Sequence, residues 1–302
     1  MAFKKIAVIA IALLIAACAK QDYKNGEELY SKGEYAQAFP LITNAAKDEL
    51  KDAQFRLGTM YYFGNGVALD YKQALEWLTK AANQGHNSAQ EMVGNIYYQG
   101  EGVEADNKKA IMWFEKAASQ NNSAAQTMLG VMYHGGNGVP KNYTQAIAYF
   151  EKATANNEIE AQYALGTMYL NGEGLPQNFS KAAALFEAAA NQGSELGQYA
   201  LGSMYFSGKS GEVNYKKAYI WYEKAASKGY STAQMNVGLL YRDGLGIEKN
   251  IIEAHKWLNI ASAGGESQAN VAREELEGQM SKQQIENSQK LASDWLVSHK
   301  NN

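Results

Sequence analysis

A chain of 302 residues carries 28 Lys and Arg against 31 Asp and Glu, a formal net charge of −3 with no long run of either sign. That excludes the clustered basic face through which nucleic acid is bound. A single cysteine excludes an internal disulfide framework, so packing alone must hold the fold.

Residues 1–17 read as a separate element. Lys4 and Lys5 precede an apolar run from Ile6 to Ala17, and Cys18 follows. The run is shorter than the roughly 20 apolar residues that a spanning helix needs. A charged start, a short apolar middle and a small-residue end mark an export signal. Leu14-Ile15-Ala16-Ala17-Cys18 resembles the lipobox of bacterial lipoproteins. The resemblance implies cleavage before Cys18 and acylation of that residue. Membrane attachment would then be durable, because several acyl chains hold where one is marginal. Ala19 stands where many inner-membrane lipoproteins carry Asp, which implies the outer membrane, with the body facing the periplasm or the cell surface.

From residue 52 to 266 the chain is a ruler. Gly58, Gly94, Gly130, Gly166, Gly202 and Gly238 stand 36 residues apart, as do the rows begun by Ala74 and Tyr61. A fixed period of this length means stacked supersecondary units that bury a continuous core, not separate domains. Extrapolated backwards, the register places Ala38, Leu41 and Ala45-Ala46 with Ala74, Trp77 and Ala81-Ala82. Residues 18–51 therefore hold a lipidated N-terminus and a degenerate capping hairpin whose shorter loop lies at Gly33.

Each unit reads as two helices. Ala53, Leu57, Met60, Tyr61 and Gly64 make one face of a helix that stops at Gly64-Asn65-Gly66. Asp70, Asp106, Asn142, Asn178, Asn214 and Asn250 stand at the start of the second helix as N-caps. Gly85, Asn121, Asn157, Gly193, Gly229 and Gly265 close it with left-handed caps. Small residues at Gly58 and Ala74 are expected to bring the two backbones together, while Trp77, Trp113, Trp221 and Trp257 fill the space between units. Ser210-Gly211 replaces Gly66-Val67, so that loop is expected to differ. Residues 267–302 carry helical spacing through Leu291, Trp295 and Leu296 and read as C-terminal capping helices.

Ala53 to Leu57-Gly58, Tyr61, Gly64 and Gly66-Val67, then Gln73-Ala74, Trp77-Leu78 and Lys80-Ala81-Ala82 to Gly85, resemble Sel1-like repeats, a branch of the tetratricopeptide-type arrays. The resemblance implies an all-α, right-handed α-solenoid of stacked helix–turn–helix units. It also implies that the first helix of each unit lines a concave surface.

A second stripe on that helix varies from unit to unit. It reads Phe55, Thr59, Tyr62, then Glu91, Asn95, Tyr98, then Thr127, Val131, His134. It continues Tyr163, Thr167, Leu170, then Tyr199, Ser203, Phe206, then Met235, Leu239, Arg242. By the resemblance these side chains face a groove. Its aromatic residues and Arg suit a protein or peptide partner. The residues singled out are Phe55, Tyr62, Glu91, Tyr98, His134, Tyr163, Tyr199, Phe206, Met235 and Arg242.

Nothing in the sequence asks for catalysis, a metal or a cofactor. His86, His134, His255 and His299 have no partner at metal-ligand spacing, and each reads as solvated or packed. Gly208-Lys209-Ser210 follows a helix rather than a strand and reads as a repeat loop, not a phosphate cradle. No G-x-S-x-G elbow occurs. The expected role is a lipid-anchored envelope adaptor that binds proteins. The alternative is an immunity-type lipoprotein that inhibits a secreted toxin enzyme such as a phospholipase, a hydrolase being the remote third.

Overall fold

The computed structural model describes residues 2–299, with side chains from residue 17 onward. Of the expected signal segment, residues 1–17, the side chains of residues 1–16 lie outside the described ones. The chain forms two compact units, residues 1–156 and 157–302. All regular structure among the described residues is helical.

The first unit holds four antiparallel hairpins. They are α1 (Ala2–Ser31) with α2 (Tyr35–Lys47), α3 (Lys51–Phe63) with α4 (Tyr71–Asn83), α5 (Asn87–Gln99) with α6 (Asn107–Ser119), and α7 (Ser123–Gly135) with α8 (Tyr143–Ala155). The second unit repeats the plan. It pairs α9 (Ile159–Asn171) with α10 (Phe179–Asn191), α11 (Glu195–Ser207) with α12 (Tyr215–Ser227) and α13 (Ser231–Asp243) with α14 (Ile251–Ala263). Against α14 pack α15 (Ser267–Glu277) and α16 (Lys282–His299). Within each unit every hairpin packs on its neighbours in sequence, giving the stack of helix–turn–helix repeats that the period requires.

The caps are those expected. Asp70, Asp106, Asn142, Asn178, Asn214 and Asn250 each accept a backbone N–H from the first turn of the helix that follows. Asn121 and Asn157 take positive φ where the other units use glycine. The loop after α11 does differ: Gly211 sits at φ 127°, whereas Gly66, Gly102, Gly138, Gly174 and Gly246 lie between 70° and 79°.

The glycine row has a more specific cause than backbone approach. A Cβ on Gly94, Gly130, Gly166 or Gly202 would stand 2.5 to 2.8 Å from the ring of Phe114, Phe150, Phe186 or Tyr222 in the second helix of the same hairpin. In α3 and α13, Leu78 and Leu258 occupy the same slot. The side chain filling each hairpin is therefore the one after the tryptophan position, whereas Trp113 and Trp257 fill the space between units as expected, buried in clusters shared with the preceding hairpin. Trp77 and Trp221 are only half-buried, each beneath the ammonium of Lys80 or Lys224 at 3.9 Å. The first hairpin repeats the device, Gly26 receiving Ile42.

Neighbouring hairpins are clamped by a second row. Gln54, Gln90, Gln126, Gln198 and Gln234 are buried, and each side-chain amide donates to the carbonyl of Ala46, Ala82, Ala118, Ala190 or Ala226 in the preceding helix, at 3.0 to 3.4 Å. The Oε1 atoms of Gln54, Gln90 and Gln162 accept from Gln84, Gln120 and Gln192 at 2.8 to 2.9 Å. Asn156 and Lys228 replace that donor in two units. Asn156 turns to Lys152 O and Lys228 to Gly193 O, leaving the buried Oε1 of Gln126 and Gln198 without a partner among the described residues.

At the N-terminal end, Arg56 of α3 makes a two-pronged ion pair with Glu27 of α1, at 2.5 and 2.8 Å. Its guanidinium lies 4.3 Å from the Tyr30 ring centroid, and Asn65 donates to the Tyr30 hydroxyl. These contacts fix α1 on the stack.

Glycine inside a helix costs about 1 kcal/mol relative to alanine, so the slot must be worth more than that to keep it. Gly130→Ala should lower stability by about 1–2 kcal/mol net, because the new methyl meets Phe150. In a Phe150→Ala background the same change should be neutral or stabilising. Urea denaturation of the four proteins checks this, and a Gly130→Ala protein as stable as the wild type would refute the slot.

Candidate functional site

The variable stripe is placed on the first helix of each hairpin, but its three rows differ in exposure. The row of Tyr62, Tyr98, His134, Leu170, Phe206 and Arg242 stays partly or fully exposed in all six repeats. The row of Phe55 does not, for Thr127 and Met235 are buried. Thr59 is buried in the row between them, while Val131 is exposed.

Met235 must be withdrawn from the display surface. It packs with Ala254, Leu258, Ala269 and Leu276 in the core that α13 shares with α14 and α15. Tyr163 and Tyr199 are shared between core and surface. Tyr163 lies 5.7 Å from Phe186, and Tyr199 packs between Tyr222 and Tyr230. Both lean on the ring that fills the glycine slot.

In the first unit, Phe55 stacks on the imidazole of His86 with centroids 4.3 Å apart. The Tyr62 hydroxyl donates to Glu101 at 2.6 Å, reaching the turn of the next repeat. Tyr62 also packs edge-on against Tyr71 at 5.3 Å. Glu91 accepts from the Asn95 side chain one turn further along α5. Burial pushes the Glu91 carboxyl pKa up, the Asn95 hydrogen bond opposing it. Burial and the Glu101 carboxylate push the Tyr62 hydroxyl up as well. Tyr98 packs against the core shared by α6 to α8, and His134 lies 5.4 Å from Tyr143.

In the second unit, Phe206 and Arg242 converge on one cleft of about 240 Å³, lined also by Asn236, Leu239 and Leu245. Tyr222 and Leu240 form its buried floor. Phe206 is 41% exposed at the rim. Arg242 is held by Asp243 through Nε and Nη2 at 2.7 and 2.8 Å. The cleft therefore presents an apolar hole beside a neutralised ion pair, suited to an apolar side chain of a partner.

One constellation imitates chemistry. His255 Nδ1 lies 2.7 Å from Ser288 Oγ, and Nε2 lies 3.0 Å from Glu277 Oε1. Asn259 donates to the His255 carbonyl, and its amide also meets Nδ1 at 2.9 Å. Serine, histidine and glutamate in contact suggest a triad, but Ser288 and His255 are 0% exposed, so no substrate reaches the hydroxyl. The cluster ties α14, α15 and α16 together. His255 is thus packed, as the sequence reading had it, although its polar partners were not foreseen.

Sequence reasoning also missed Glu101, Asn236 and Leu245, which lie in loops or off the stripe. The glutamine row was readable, since Gln54, Gln90, Gln126, Gln162, Gln198 and Gln234 keep the 36-residue step.

The family model described as Sel1 repeat matches residues 51–86, 87–122, 123–158, 159–194, 196–230 and 231–266. Among solved structures, a protective antigen of uropathogenic Escherichia coli strains with an SLR fold is 30% identical, with a TM-score of 0.88. The likeness covers 94% of this chain but 62% of that one, so this chain spans less than two thirds of its length. A Sel1 repeat protein from Oxalobacter formigenes is also 30% identical, with a TM-score of 0.73, covering 80% of this chain and 96% of that one. An immunity protein from Pseudomonas aeruginosa is 20% identical, at a TM-score of 0.46 over 72% of this chain and 83% of that one. No curated protein matches the sequence.

The Glu91 carboxyl gives a pH prediction. Its pKa is raised in the folded protein, so ionisation is resisted there and stability falls as pH rises through and above the ordinary glutamate range. Glu91→Gln removes that loss. The variant should exceed the wild type in melting temperature at neutral pH, and the gap should close as pH falls towards about 4. A gap that widens on acidification would reverse the assignment.

Proposed function

Because this chain belongs to the Sel1 repeat family, whose members mediate protein–protein interaction, we propose that it is a lipid-anchored adaptor of the bacterial envelope. It captures a protein or peptide through the open face of its first helices. The observation that carries this reading is the row from Tyr62 to Arg242. It remains open in all six repeats, while the rows that face the second helix are sealed. Side chains kept at the surface at a constant step, yet different in every repeat, provide a graded set of contacts for an extended partner.

The array is assigned no reaction and no cofactor. The family is generally non-catalytic, and the open face is a changing mixture of aromatic, apolar, polar and singly placed charged groups. Attachment is assigned to Cys18, which is exposed on α1 and is the chain's sole thiol. The resemblance of residues 14–18 to a lipobox, with Ala19 after it, supports placing the array at the outer membrane, facing the periplasm or the surface.

Photocrosslinking from position 206 in the native envelope should trap a discrete protein. In the Phe206→Ala, Arg242→Ala double variant, capture measured at a neighbouring position should fall about fivefold or more with helicity unchanged. Capture that ignores both substitutions would move the contact face elsewhere. A single enzyme as the trapped partner would make the protein an inhibitor of the immunity type.

Cys18→Ala tests the anchor. The wild type should partition into the detergent phase of an envelope extract, and the variant should appear in the aqueous phase or remain unprocessed. Equal partitioning of the two would remove the lipid anchor.

A further inference from the structure

The second helices carry an outer surface that the rows of the first helices do not use. Along α4 it forms a groove of about 530 Å³, lined by Lys72, Leu75, Glu76 and Thr79 and by Tyr97 and Val103 of the following repeat. Leu75, Tyr97 and Val103 are half-buried and pack against one apolar core with Ala74 and Leu78. Glu76 is already paired with Lys80 at 2.8 Å. The chain itself shows what such a surface accepts. Five repeats further on, Ile252, His255, Lys256 and Asn259 of α14 hold the places of Lys72, Leu75, Glu76 and Thr79. There α16 lies against the second helix. Ile252 lines a cleft with the first turns of α16, and His255 is 0% exposed beside Ser288. The side chains that α16 buries are small, Ser288 and Ala292, four residues apart, so the two helices approach closely. Trp295 follows three residues later and meets Trp257 with centroids 5.7 Å apart.

One place separates the repeats. Glu115, Glu151, Glu187 and Glu223 stand there, all exposed, in the four repeats between, where α4 has Thr79 and α14 has Asn259. A helix laid on the outer face would strip water from each of those carboxylates, which is unfavourable without a cation to pair them. Among the six repeats, that of α4 alone shares a neutral side chain at this place with the repeat that α16 covers, and Leu75 makes its floor more apolar than His255 does. We propose that the groove outside α4 docks an amphipathic helix of a partner protein, laid against it as α16 lies against α14. The partner helix presents small residues at two positions four apart and a large apolar residue three further on, which is one face of a helix. Leu75 donates and accepts nothing, so alanine suits the place of Ser288. This surface is distinct from the binding face of the first helices and stands or falls apart from it.

The test uses the full chain, whose own α16 already covers α14, and a labelled peptide of the α16 sequence, Lys282–His299, carrying Ser288→Ala. A staple on its exposed side holds the peptide helical, since so short a helix is marginal alone. Fluorescence polarisation should show saturable binding that weakens about tenfold or more in Thr79→Glu and in Leu75→Glu. Thr79→Glu installs the residue that four other repeats carry, so the variant folds, and circular dichroism confirms it. A probe with Ala292→Glu should lose a similar factor, while Phe206→Ala, Arg242→Ala in the protein should change nothing. A photoreactive group at position 291 of the probe should crosslink to α4 or to the turn at Val103. No saturable binding, binding that ignores both substitutions on α4, or crosslinks to α14 through exchange of α16 between copies would overturn the proposal.

Discussion

The structure depends on a volume constraint: one side chain of the second helix must fit where the first helix has no Cβ. Phe114, Phe150, Phe186 and Tyr222 are buried only because Gly94, Gly130, Gly166 and Gly202 leave their rings a seat. A helix tolerates the roughly 1 kcal/mol cost of glycine because the ring it admits is worth about 1.5–3 kcal/mol of burial. That seat sets the separation of the two helices, which sets the length of the turn between them. The turn in turn meets the preceding hairpin, as where a Cβ on Gly66 would strike the backbone carbonyl of Tyr35. The 36-residue step is the sequence record of this chain of contacts.

Packing within hairpins is apolar, whereas the clamp between them is partly polar. In five repeats the glutamine amide spans from its own helix to the end of the preceding one, and the side-chain carbonyls of Gln54, Gln90 and Gln162 receive the amide of a further glutamine. A buried amide is a strict partner because an unmet acceptor costs about 1–3 kcal/mol, so hairpins joined this way resist sliding. The two orphaned acceptors, on Gln126 and Gln198, mark the joints where that restraint is weakest. With the scaffold fixed by these two rows, the last turn of each first helix is free to vary, and there the aromatic and charged side chains stand.

Much of this was legible in the sequence, for a physical reason. Caps and glycine turns act through local backbone geometry, so Asp70 or Asn121 announces its role without knowledge of the fold. Which aromatic residue fills the slot is a tertiary question. Trp77 and Leu78 are neighbours with similar hydrophobicity, and only the packing shows that Leu78 is buried while Trp77 lies beneath Lys80. Met235 was misread for a related reason, since its burial comes from packing with Leu258 of α14 and with Ala269 and Leu276 of α15, which its own helix does not reveal. The link from Tyr62 to Glu101 joins residues 39 apart, and no periodic pattern on one helix reveals it. Loops supplied the missing part of the candidate face, and loops carry the weakest periodic signal.

The first helix has one further consequence. α1 runs unbroken from Ala2 to Ser31, and its Glu27 is gripped by Arg56 on the helix that bears Phe55 and Tyr62. Between Cys18 and Glu27 there is helix, about 14 Å of it at 1.5 Å per residue, in place of a flexible linker. A coil of the same length would let the tethered body sweep a sphere of roughly 15–18 Å and dilute its binding face over that volume. On the proposed attachment through Cys18 the helix would act as a mast, setting the height of the neighbouring face above the point of attachment by its length and not by the reach of a coil.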